Sequence, residues 1–360
     1  MFFANLTPLM GTTAIICRMK EFKYPKVKIE LQKAKQMLAD LLSLSGTSQQ
    51  NIETLVDMLL EYDLHDNTFS GFGELDGLIE CLKETRNKVY KMEVDKPALK
   101  LINGNGIHAR LLGMEACALV SKMAKDNGIG IVGIYNSTYH GILETYSREI
   151  AKHDLIAIVS ANGGPSGVAP HGGSKDIFGT NPLSYGIPTN GLPIVFDAAT
   201  AKYAYGTIRL AKQRNEKLPE DSYFDKEGNL TTDPSRAVVI GAFGEHKGYA
   251  INLLLEVLTG TMVRAKSGLS VKNEHDLGSF FIAIDPNFFG PLEEFKNETS
   301  KLAQDILNVS PVNPKNPVRV PGYEGEKLKQ EMLAEGFIYV DEKAWGKFEK
   351  FYEEKMNGNI

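Results

Sequence analysis

One His-Gly pair follows a predicted buried strand and is placed to do acid–base chemistry. His140 and Gly141 end the stretch NSTYHG, which comes directly after the apolar segment 129–135. A histidine at the end of a strand can project its imidazole into a cleft, and its near-neutral pKa suits proton exchange with a reacting oxygen atom. Taken alone, His140 is more simply explained as a hydrogen-bonded core or capping residue. The segments that follow it favour a catalytic role for His140 over a structural one.

Several of these segments offer small side chains and backbone amides of the kind that bind phosphate and ribose. They are VAPHGG at residues 168–173, GTNP at residues 179–182 and DAAT at residues 197–200. Lys247 and Gly248 open a predicted helix, where a cation and free N–H groups together favour a pyrophosphate. A lysine of this kind, taken alone, is more often a solvated surface charge. Together the segments predict a nucleotide site between His140 and Lys247.

A second glycine pattern, GIGIVG at residues 128–133, matches the GxGxxG fingerprint of dinucleotide-binding folds. That fingerprint works only when a strand precedes it and a helix begins within it, so that the pyrophosphate meets the amides of the helix N-terminus. Here a predicted helix precedes the glycines and a strand follows. We therefore reject a Rossmann site and predict that Gly128 ends a helix.

The positions of apolar residues predict the elements around these segments. The first hundred residues are expected to be helical, and the C-terminal sixty residues are expected to be helical and charged apart from a loop at residues 313–325. Residues 162–193 are rich in Gly and Pro, and an irregular stretch of this length is usually functional or disordered. Predicted helices cover residues 27–44, 74–86, 109–127, 142–152, 203–214 and 244–259, with another beginning near Ser48, and predicted strands cover residues 129–135, 155–160, 194–196, 237–240 and 279–284.

Composition excludes several classes of function. The 360 residues are 42% hydrophobic and 24% charged, with a net charge of −5 and no basic stripe, so a nucleic-acid partner is not expected. No apolar run is long enough for a membrane span. Three isolated cysteines argue against a disulfide framework and against structural zinc, and favour the reducing cytoplasm. The histidines show no ligand-like spacing and no HExxH or GxSxG motif occurs, so we expect no metal and a small-molecule substrate.

The ordered motifs resemble those of the malate/L-lactate dehydrogenase-like oxidoreductases, over about residues 27–352. The resemblance is densest in residues 128–200, and it continues through TTDP at residues 231–234, KGY at residues 247–249 and Pro321-Gly322. It implies an α/β (α+β) fold with a mostly antiparallel, non-Rossmann cofactor-binding sheet flanked by N- and C-terminal helices. It also implies a homodimer that transfers hydride between NAD or NADP and a small 2-oxo or 2-hydroxy acid.

The resemblance further implies a division of the chain and roles for individual residues. Residues 1–26 are expected to be an extension or a mis-assigned start, residues 27–98 with 300–360 a helical dimerisation and substrate domain, and residues 99–299 the NAD(P)-binding domain. The catalytic candidates are His140, His171 and Ser70. The cofactor-binding candidates are Asn181, Asp197, Ala198, Ala199, Thr200, Lys247, Gly248, Pro321 and Gly322. The substrate-binding candidates are Glu74, Ser137 and Thr180. His171 stands where the family often has Trp, so it either faces the substrate pocket or is structural.

The chain departs from the family in the element that normally reads SHG..RL. Ser70 occupies the position of the family's proton-donating His, and Glu74 occupies that of the Arg that holds the substrate carboxylate. A glutamate would repel a carboxylate, and a serine cannot donate a proton as an imidazolium can. One interpretation is a cationic or amine-bearing substrate such as a cyclic imine; the other is loss of the usual reaction. Arg86, Arg110 or Lys175 could replace the missing cation.

A function of a different class follows from the second interpretation. The chain would then be a catalytically altered, nucleotide-binding paralogue that acts as a sensor or a structural partner. Binding of nucleotide without its oxidation or reduction on any candidate substrate would favour that alternative.

Overall fold

The chain folds as two units, of which the computed structural model describes residues 25–65, 72, 75–165 and 167–358. Unit 1 joins the chain up to Lys83 to the chain from Glu324 onwards, and unit 2 runs from Glu84 to Tyr323. The predicted assignment of one part to the substrate and the other to the cofactor remains a prediction.

Unit 1 is built on helices whose apolar stripes face one core. Its helices are α1 (Leu31–Ser43), α2 (Gln49–Leu64), α3 (Leu75–Thr85), α9 (Tyr323–Glu335) and α10 (Glu342–Met356), with α3 and α9 reaching the boundary of the unit. The predicted cap at Ser48 is present, since its side chain accepts a hydrogen bond from the N–H of Asn51. Phe72 packs edge-on against Trp345, with ring centroids 5.2 Å apart.

Two short strands of unit 1 correct the helical prediction for both ends of the chain. Strand β1 (Lys26–Glu30) pairs antiparallel with β11 (Phe337–Asp341). Val27 and Ile29 alternate with charged residues, which is the two-residue period of a strand. The partner strand lies far away in the sequence, so the local apolar pattern could not reveal the pairing. That pattern predicted a helix from residue 27, but the helix begins at Leu31.

Unit 2 contains a seven-stranded sheet in the order β2-β3-β4-β10-β5-β6-β7. Of its neighbouring pairs only β3 and β4 run parallel, which confirms a mostly antiparallel sheet and excludes the doubly wound Rossmann order. The strands are β2 (Lys91–Lys96), β3 (Leu99–Asn103), β4 (Ile129–Tyr135), β5 (Ile156–Ala161), β6 (Leu183–Ile187), β7 (Ile194–Ala198) and β10 (Gly278–Ile284). A separate pair is β8 (Tyr223–Phe224) with β9 (Val239–Ile240).

Five α-helices of unit 2 accompany these strands among its described residues. They are α4 (Ala109–Asn127), α5 (Glu144–Ala151), α6 (Gly206–Arg214), α7 (His246–Thr259) and α8 (Leu292–Leu307). The β2–β3 hairpin corrects the prediction that the first hundred residues are helical, and β6 lies within the stretch that was predicted to be irregular. Tyr185 of β6 stacks on Phe196 of β7, which adds a cross-strand aromatic pair to the ladder.

The rejection of the GxGxxG fingerprint is confirmed by the packing of these glycines. Gly128 ends α4 in the left-handed conformation, with φ 83°, and β4 follows at once. A Cβ on Gly130 would lie 2.4 Å from the carbonyl oxygen of Val120 in α4, and one on Gly133 would lie 2.6 Å from a methyl group of Val263. These glycines let α4 and a neighbouring turn approach the sheet, so their small size serves packing.

Among the residues that the structure describes, no helix combines the length and the apolar character that crossing a membrane requires.

Candidate active site

The loop after β4 holds His140 through contacts with two helices. Thr138 accepts a hydrogen bond from the N–H of Ala109 at the start of α4, and Tyr146 of α5 donates its hydroxyl to the carbonyl oxygen of His140 at 2.6 Å. Asn136 and Gly141 bracket the loop with φ angles of 53° and 77°. The backbone at His140 is therefore fixed from both sides before any ligand binds.

The imidazole of His140 is buried and has an unused hydrogen-bonding atom. The residue is 2% exposed, and its ring contacts those of Tyr146 and Phe281 at centroid distances of 6.2 and 6.1 Å. Its Nε2 atom has no hydrogen-bond partner. An unpaired buried polar atom costs about 1–3 kcal/mol, which is tolerated where a ligand supplies the missing partner.

The charge state of His140 corrects the prediction of a near-neutral pKa. Burial, together with the positive charge of Arg110, lowers the pKa of His140 to about 3. The imidazole is therefore neutral at physiological pH. A neutral imidazole can donate a hydrogen bond to an oxygen atom and polarise it, but it is not a ready source of protons.

Ser137 provides a second unpaired polar atom in the same loop. The residue is fully buried and its Oγ has no hydrogen-bond partner, as is also true of Ser279 on β10. Ser279 faces Ile134 of β4 in the register of the sheet, so this serine lies near the end of β4 from which the loop departs. The predicted substrate-binding role of Ser137 fits this placement and remains a prediction.

One of the three cations proposed to replace the missing arginine lies beside His140. Arg110 is 2% exposed, and its charge contributes to the lowered pKa values of both His140 and His108. Arg86 and Lys175 are exposed. Sequence patterns did not single out His108, whose Nδ1 accepts a hydrogen bond from the N–H of Arg110 and caps α4.

Asn181, a predicted cofactor contact, directs its side chain into a buried network. Its amide nitrogen donates to Glu256 of α7 at 2.6 Å and to Asn252 at 2.8 Å, and its amide oxygen accepts from the N–H of Gly163 at 3.0 Å. The residue is fully buried and has a positive φ of 36°. The structure thus gives this side chain a structural role.

Glu256 is the charged centre of that network, and sequence reasoning did not find it. It is 3% exposed and also accepts hydrogen bonds from the side chain of Asn162 at 3.3 Å and from the N–H of Gly268 at 2.6 Å. Three N–H groups from separate segments therefore solvate one buried carboxylate. Glu256 lies among apolar residues of a helix, and nothing in the neighbouring sequence indicates that it is buried and hydrogen-bonded.

The GTNP and DAAT segments are joined directly to each other. Thr200 donates its hydroxyl to the carbonyl oxygens of Thr180 and Asn181, and its N–H bonds to Thr180 as well. Ala198 ends β7 opposite Leu183 of β6. Ala199 packs against a buried cluster that includes Val168, Phe178 and Tyr223. The two motifs thus form one corner of unit 2, and their predicted nucleotide contacts remain predictions.

The carboxylate of Asp197 accepts a hydrogen bond within the protein. It accepts a hydrogen bond at 3.0 Å from the N–H of Glu144, the first residue of α5. Burial and the negative charge of Glu144 together raise the pKa of Asp197 to about 7, although hydrogen bonds from the backbone N–H groups of Glu144 and Leu143 oppose the rise. The group consequently titrates near neutral pH.

Asp197→Asn is expected to remove a pH-dependent loss of stability. Because the folded-state pKa, about 7, exceeds the ordinary value of 3.8, the folded protein binds the proton more tightly than the unfolded chain does. The stability from this group is complete below pH 3.8 and is lost as the pH rises to about 7. The melting temperature of the variant relative to the wild type should therefore increase between pH 4 and pH 8, as followed by thermal unfolding.

Asp57→Asn serves as the matched control, because Asp57 is exposed and pairs with Lys35 on the surface of unit 1. A difference for Asp197→Asn that tracked the control across this pH range would contradict the assignment.

The N-terminus of α7 carries Lys247 and Gly248. Lys247 is exposed, whereas Gly248 is buried, and a Cβ on Gly248 would lie 2.1 Å from the carbonyl oxygen of Phe243. The N–H groups of Lys247, Gly248 and Tyr249 bond to carbonyl oxygens of the preceding turn. The prediction of free N–H groups for a phosphate is therefore wrong for these three residues, and the predicted cofactor contact of the exposed Lys247 ammonium remains a prediction.

His171 lies at this exposed end of α7 and not in the His140 cluster. It is exposed, and its ring contacts that of His246 with centroids 5.9 Å apart. His140, in contrast, is buried between Tyr146 and Phe281. The two imidazoles have different neighbours, so the structure does not pair them in one catalytic step.

Pro321 and Gly322 lie against the backbone of β7. Pro321 accepts a hydrogen bond from the N–H of Val195, and Gly322 has a φ of 82° with no room for a Cβ beside Val195. Ser70 and Glu74, the two altered positions of the family element, lie outside the described residues.

Comparison with known proteins places these features in context. A family model described as malate/L-lactate dehydrogenase matches residues 29–349. The chain is 32% identical over 337 residues to the malate/(S)-sulfolactate dehydrogenase of Methanothermus fervidus, covering 91% of this chain and 97% of that protein. It is 27% identical over 330 residues to the ureidoglycolate dehydrogenase (NAD(+)) of Escherichia coli, covering 88% and 93%. The solved sulfolactate dehydrogenase from Methanocaldococcus jannaschii matches with a TM-score of 0.82 at 30% identity, covering 92% and 98%.

Proposed function

Because this chain belongs to the malate/L-lactate dehydrogenase family, we propose that it interconverts a small 2-hydroxy acid and the corresponding 2-oxo acid with NAD or NADP. The observation that carries the proposal is the buried, neutral imidazole of His140, with an unpaired Nε2, beside the Arg110 cation. A polarising N–H group and a cation are the two groups that a 2-oxo acid requires at its keto oxygen and its carboxylate.

The residues present fit a nicotinamide nucleotide. The unpaired Nε2 of His140 and Oγ of Ser137 are buried polar atoms that lack a protein partner. The ammonium of Lys247 stands exposed at the start of α7, where it can hold a phosphate. Held by Ser137 and Lys247, with Nε2 of His140 left for the substrate oxygen, the nucleotide would supply the hydride of the reaction. We propose that Lys247 contacts a phosphate of the nucleotide. We also propose that the corner formed by the GTNP and DAAT segments contributes to the nucleotide site.

His140 acts on the substrate oxygen in this proposal. With its proton on Nε2, the neutral imidazole donates a hydrogen bond to the keto oxygen and stabilises the negative charge that develops there. The same hydrogen bond orients the hydroxyl group in the oxidative direction. Contact between Arg110 and a substrate carboxylate would offset part of the Coulombic effect that lowers the pKa of His140.

Arg110 is our candidate for the substrate anion site. Arg110→Lys is expected to raise KM for the organic acid about 10-fold or more with a smaller change in kcat, because a lysine cannot reproduce the bidentate guanidinium–carboxylate contact. Arg86→Lys at an exposed position is the control. Steady-state kinetics decide the point, with circular dichroism to verify folding, and an unchanged KM in a folded Arg110→Lys protein would exclude this role.

The altered positions Ser70 and Glu74 leave two substrate classes open, hydroxy or oxo acids and cyclic imines, and an activity assay distinguishes them. Purified protein is incubated with NAD(+) or NADP(+) and malate, sulfolactate, lactate or ureidoglycolate, and with NADH or NADPH and 2-oxo acids or a cyclic imino acid. We expect a change in nicotinamide absorbance with a hydroxy acid or its oxo partner. Turnover of the cyclic imine alone would favour an amine-bearing substrate. Tight nucleotide binding without turnover on any compound would favour a non-catalytic paralogue, and absence of nucleotide binding would exclude both proposals.

We further propose that the protein is a homodimer. Leu253, Leu254 and Val257 are exposed on α7, an apolar surface that a second copy of the chain would cover. Light scattering after gel filtration is expected to give twice the mass of one chain, and a monomer at micromolar concentration would contradict the proposal.

A cytoplasmic location is proposed from the thiols. Cys117 is a buried thiol outside any disulfide, and burial raises its pKa well above the ordinary value, which suits a reducing compartment. Cell fractionation with an antibody to the protein tests the location, and recovery outside the cytosolic fraction would contradict it.

A further inference from the structure

Unit 1 brings three potential metal ligands together where two helices meet. Glu61 lies in the last turn of α2, His65 is the residue that caps this helix, and Glu326 lies in the first turn of α9. One ligand atom from each of these residues lies within 4.8 Å of the other two. The spacing of histidines in the sequence did not predict this cluster, because Glu326 arrives from the other end of the chain.

His65 is the residue that points to a ligand at this cluster. Its side chain is 4% exposed, and its Nδ1 lies 2.8 Å from the carbonyl oxygen of Glu61. The carbonyl oxygen can only accept, so Nδ1 carries a proton and the neutral form of the ring has its lone pair on Nε2. Nε2 has no hydrogen-bond partner and lies 3.5 Å from Oε2 of Glu326. An imidazole lone pair and a carboxylate oxygen therefore face each other, and both are acceptors.

The distance between these two atoms suits a shared cation better than a shared proton. A charge-assisted N–H···O hydrogen bond is about 2.7–2.9 Å long, clearly shorter than the separation seen here. Two ligands on a tetrahedral zinc ion, each bonded at about 2.0–2.1 Å, lie about 3.4 Å apart. The Nδ1–H group bonded to a backbone carbonyl is also the usual arrangement that orients a metal-binding histidine.

The neighbouring residues set the charge and shape of the cluster. Lys329 donates to Oε1 of Glu61 at 2.8 Å, which fixes the position of this carboxylate. Gly325 provides the space, because a Cβ there would lie 2.9 Å from Cδ2 of His65. A larger residue at this position would push the imidazole away from α9.

We propose that Glu61, His65 and Glu326 form a binding site for one Zn²⁺ ion, with water in the fourth position, that links α2 to α9. A nitrogen ligand with two carboxylates suits zinc and disfavours Mg²⁺ and Ca²⁺, which prefer oxygen alone. The ligands belong to unit 1 and are independent of the His140 cluster in unit 2, so the proposal does not depend on the proposed reaction.

Zinc binding is measured on the full-length protein after chelator treatment, without nucleotide or substrate. Competition with a chromophoric chelator is expected to show one high-affinity Zn²⁺ per chain, and Co²⁺ should give the intense visible absorption of a tetrahedral site. His65→Gln and Glu326→Gln should each weaken binding by about 100-fold or more. Zinc should raise the melting temperature of the wild type but not of these variants.

His153→Gln is the matched control, because His153 and Glu149 form a similar pair four residues apart on the surface, with His153 57% exposed. This variant should bind zinc as the wild type does. Equal zinc affinity in Glu326→Gln and in His153→Gln would overturn the proposal, as would the absence of high-affinity binding in the wild type. Glu326→Gln keeps the shape of the side chain and serves as the test should His65→Gln fail to fold.

Discussion

His140→Ala is expected to lower kcat by about 100- to 1,000-fold while the affinity for the nicotinamide nucleotide stays within a factor of a few. The variant loses the N–H group that we propose to polarise the substrate oxygen. That interaction is stronger in the transition state than in the ground state, so its loss appears mainly in kcat. Steady-state kinetics and fluorescence titration with the reduced nucleotide measure the two quantities separately.

A second expectation follows from the lowered pKa of His140. Because this pKa is about 3, the imidazole stays neutral from pH 5 to pH 8 and its ionisation should not shape the activity of the free enzyme in that range. His140→Gln retains a side-chain N–H donor and should recover part of the lost kcat. His153→Ala, at an exposed position, controls for loss of a histidine as such. Full activity in a folded His140→Ala protein would refute the assignment.

Asn181→Ala is expected to destabilise the folded protein by about 3–5 kcal/mol, even when nucleotide is absent. The side chain makes three hydrogen bonds inside the protein, one of them to the buried carboxylate of Glu256 at 2.6 Å. Removing it withdraws one of three N–H groups from that charge and leaves the N–H of Gly163 without its partner. Chemical denaturation of the nucleotide-free protein measures the free energy of unfolding.

Asn190→Ala is the matched control, since Asn190 makes a comparable amide–amide hydrogen bond with Asn297 at an exposed position. Its expected cost is within about 0.5 kcal/mol. A double-mutant cycle of Asn181→Ala with Glu256→Gln should show strong coupling between the two residues. Normal stability with impaired nucleotide binding in Asn181→Ala would restore the cofactor-contact interpretation.

Two features of the fold could be predicted because their causes are local. Gly128 ends α4 since its left-handed φ suits glycine, and the order of helix and strand around GIGIVG excluded the Rossmann site. The strand β1 could not be found in this way. Residues 26–30 become a strand only because β11 provides hydrogen-bond partners, and that pairing joins opposite ends of the chain.

The candidate site also combines residues that local sequence indicates with residues that only the folded structure identifies. His140 was found from its place after a strand, and Arg110 was one of three cations that sequence alone could not rank. Burial ranked them, since Arg110 is enclosed beside His140 while Arg86 and Lys175 are exposed. Asn181 was selected from its motif as a cofactor contact, which stays a prediction, whereas its hydrogen-bond partner Glu256 belongs to no motif. Such partners are specified by packing between distant segments.

The sequence by itself determined that His140, the GTNP and DAAT segments and Lys247 occur in the order that the family requires. Only the tertiary structure decided the charge of His140, because a pKa depends on how much water and which charges surround the group. The expected near-neutral imidazole becomes, once buried beside Arg110, a neutral hydrogen-bond donor. The meeting of Glu61 and His65 with Glu326 was decided in the same way, by helices that touch only in the folded chain.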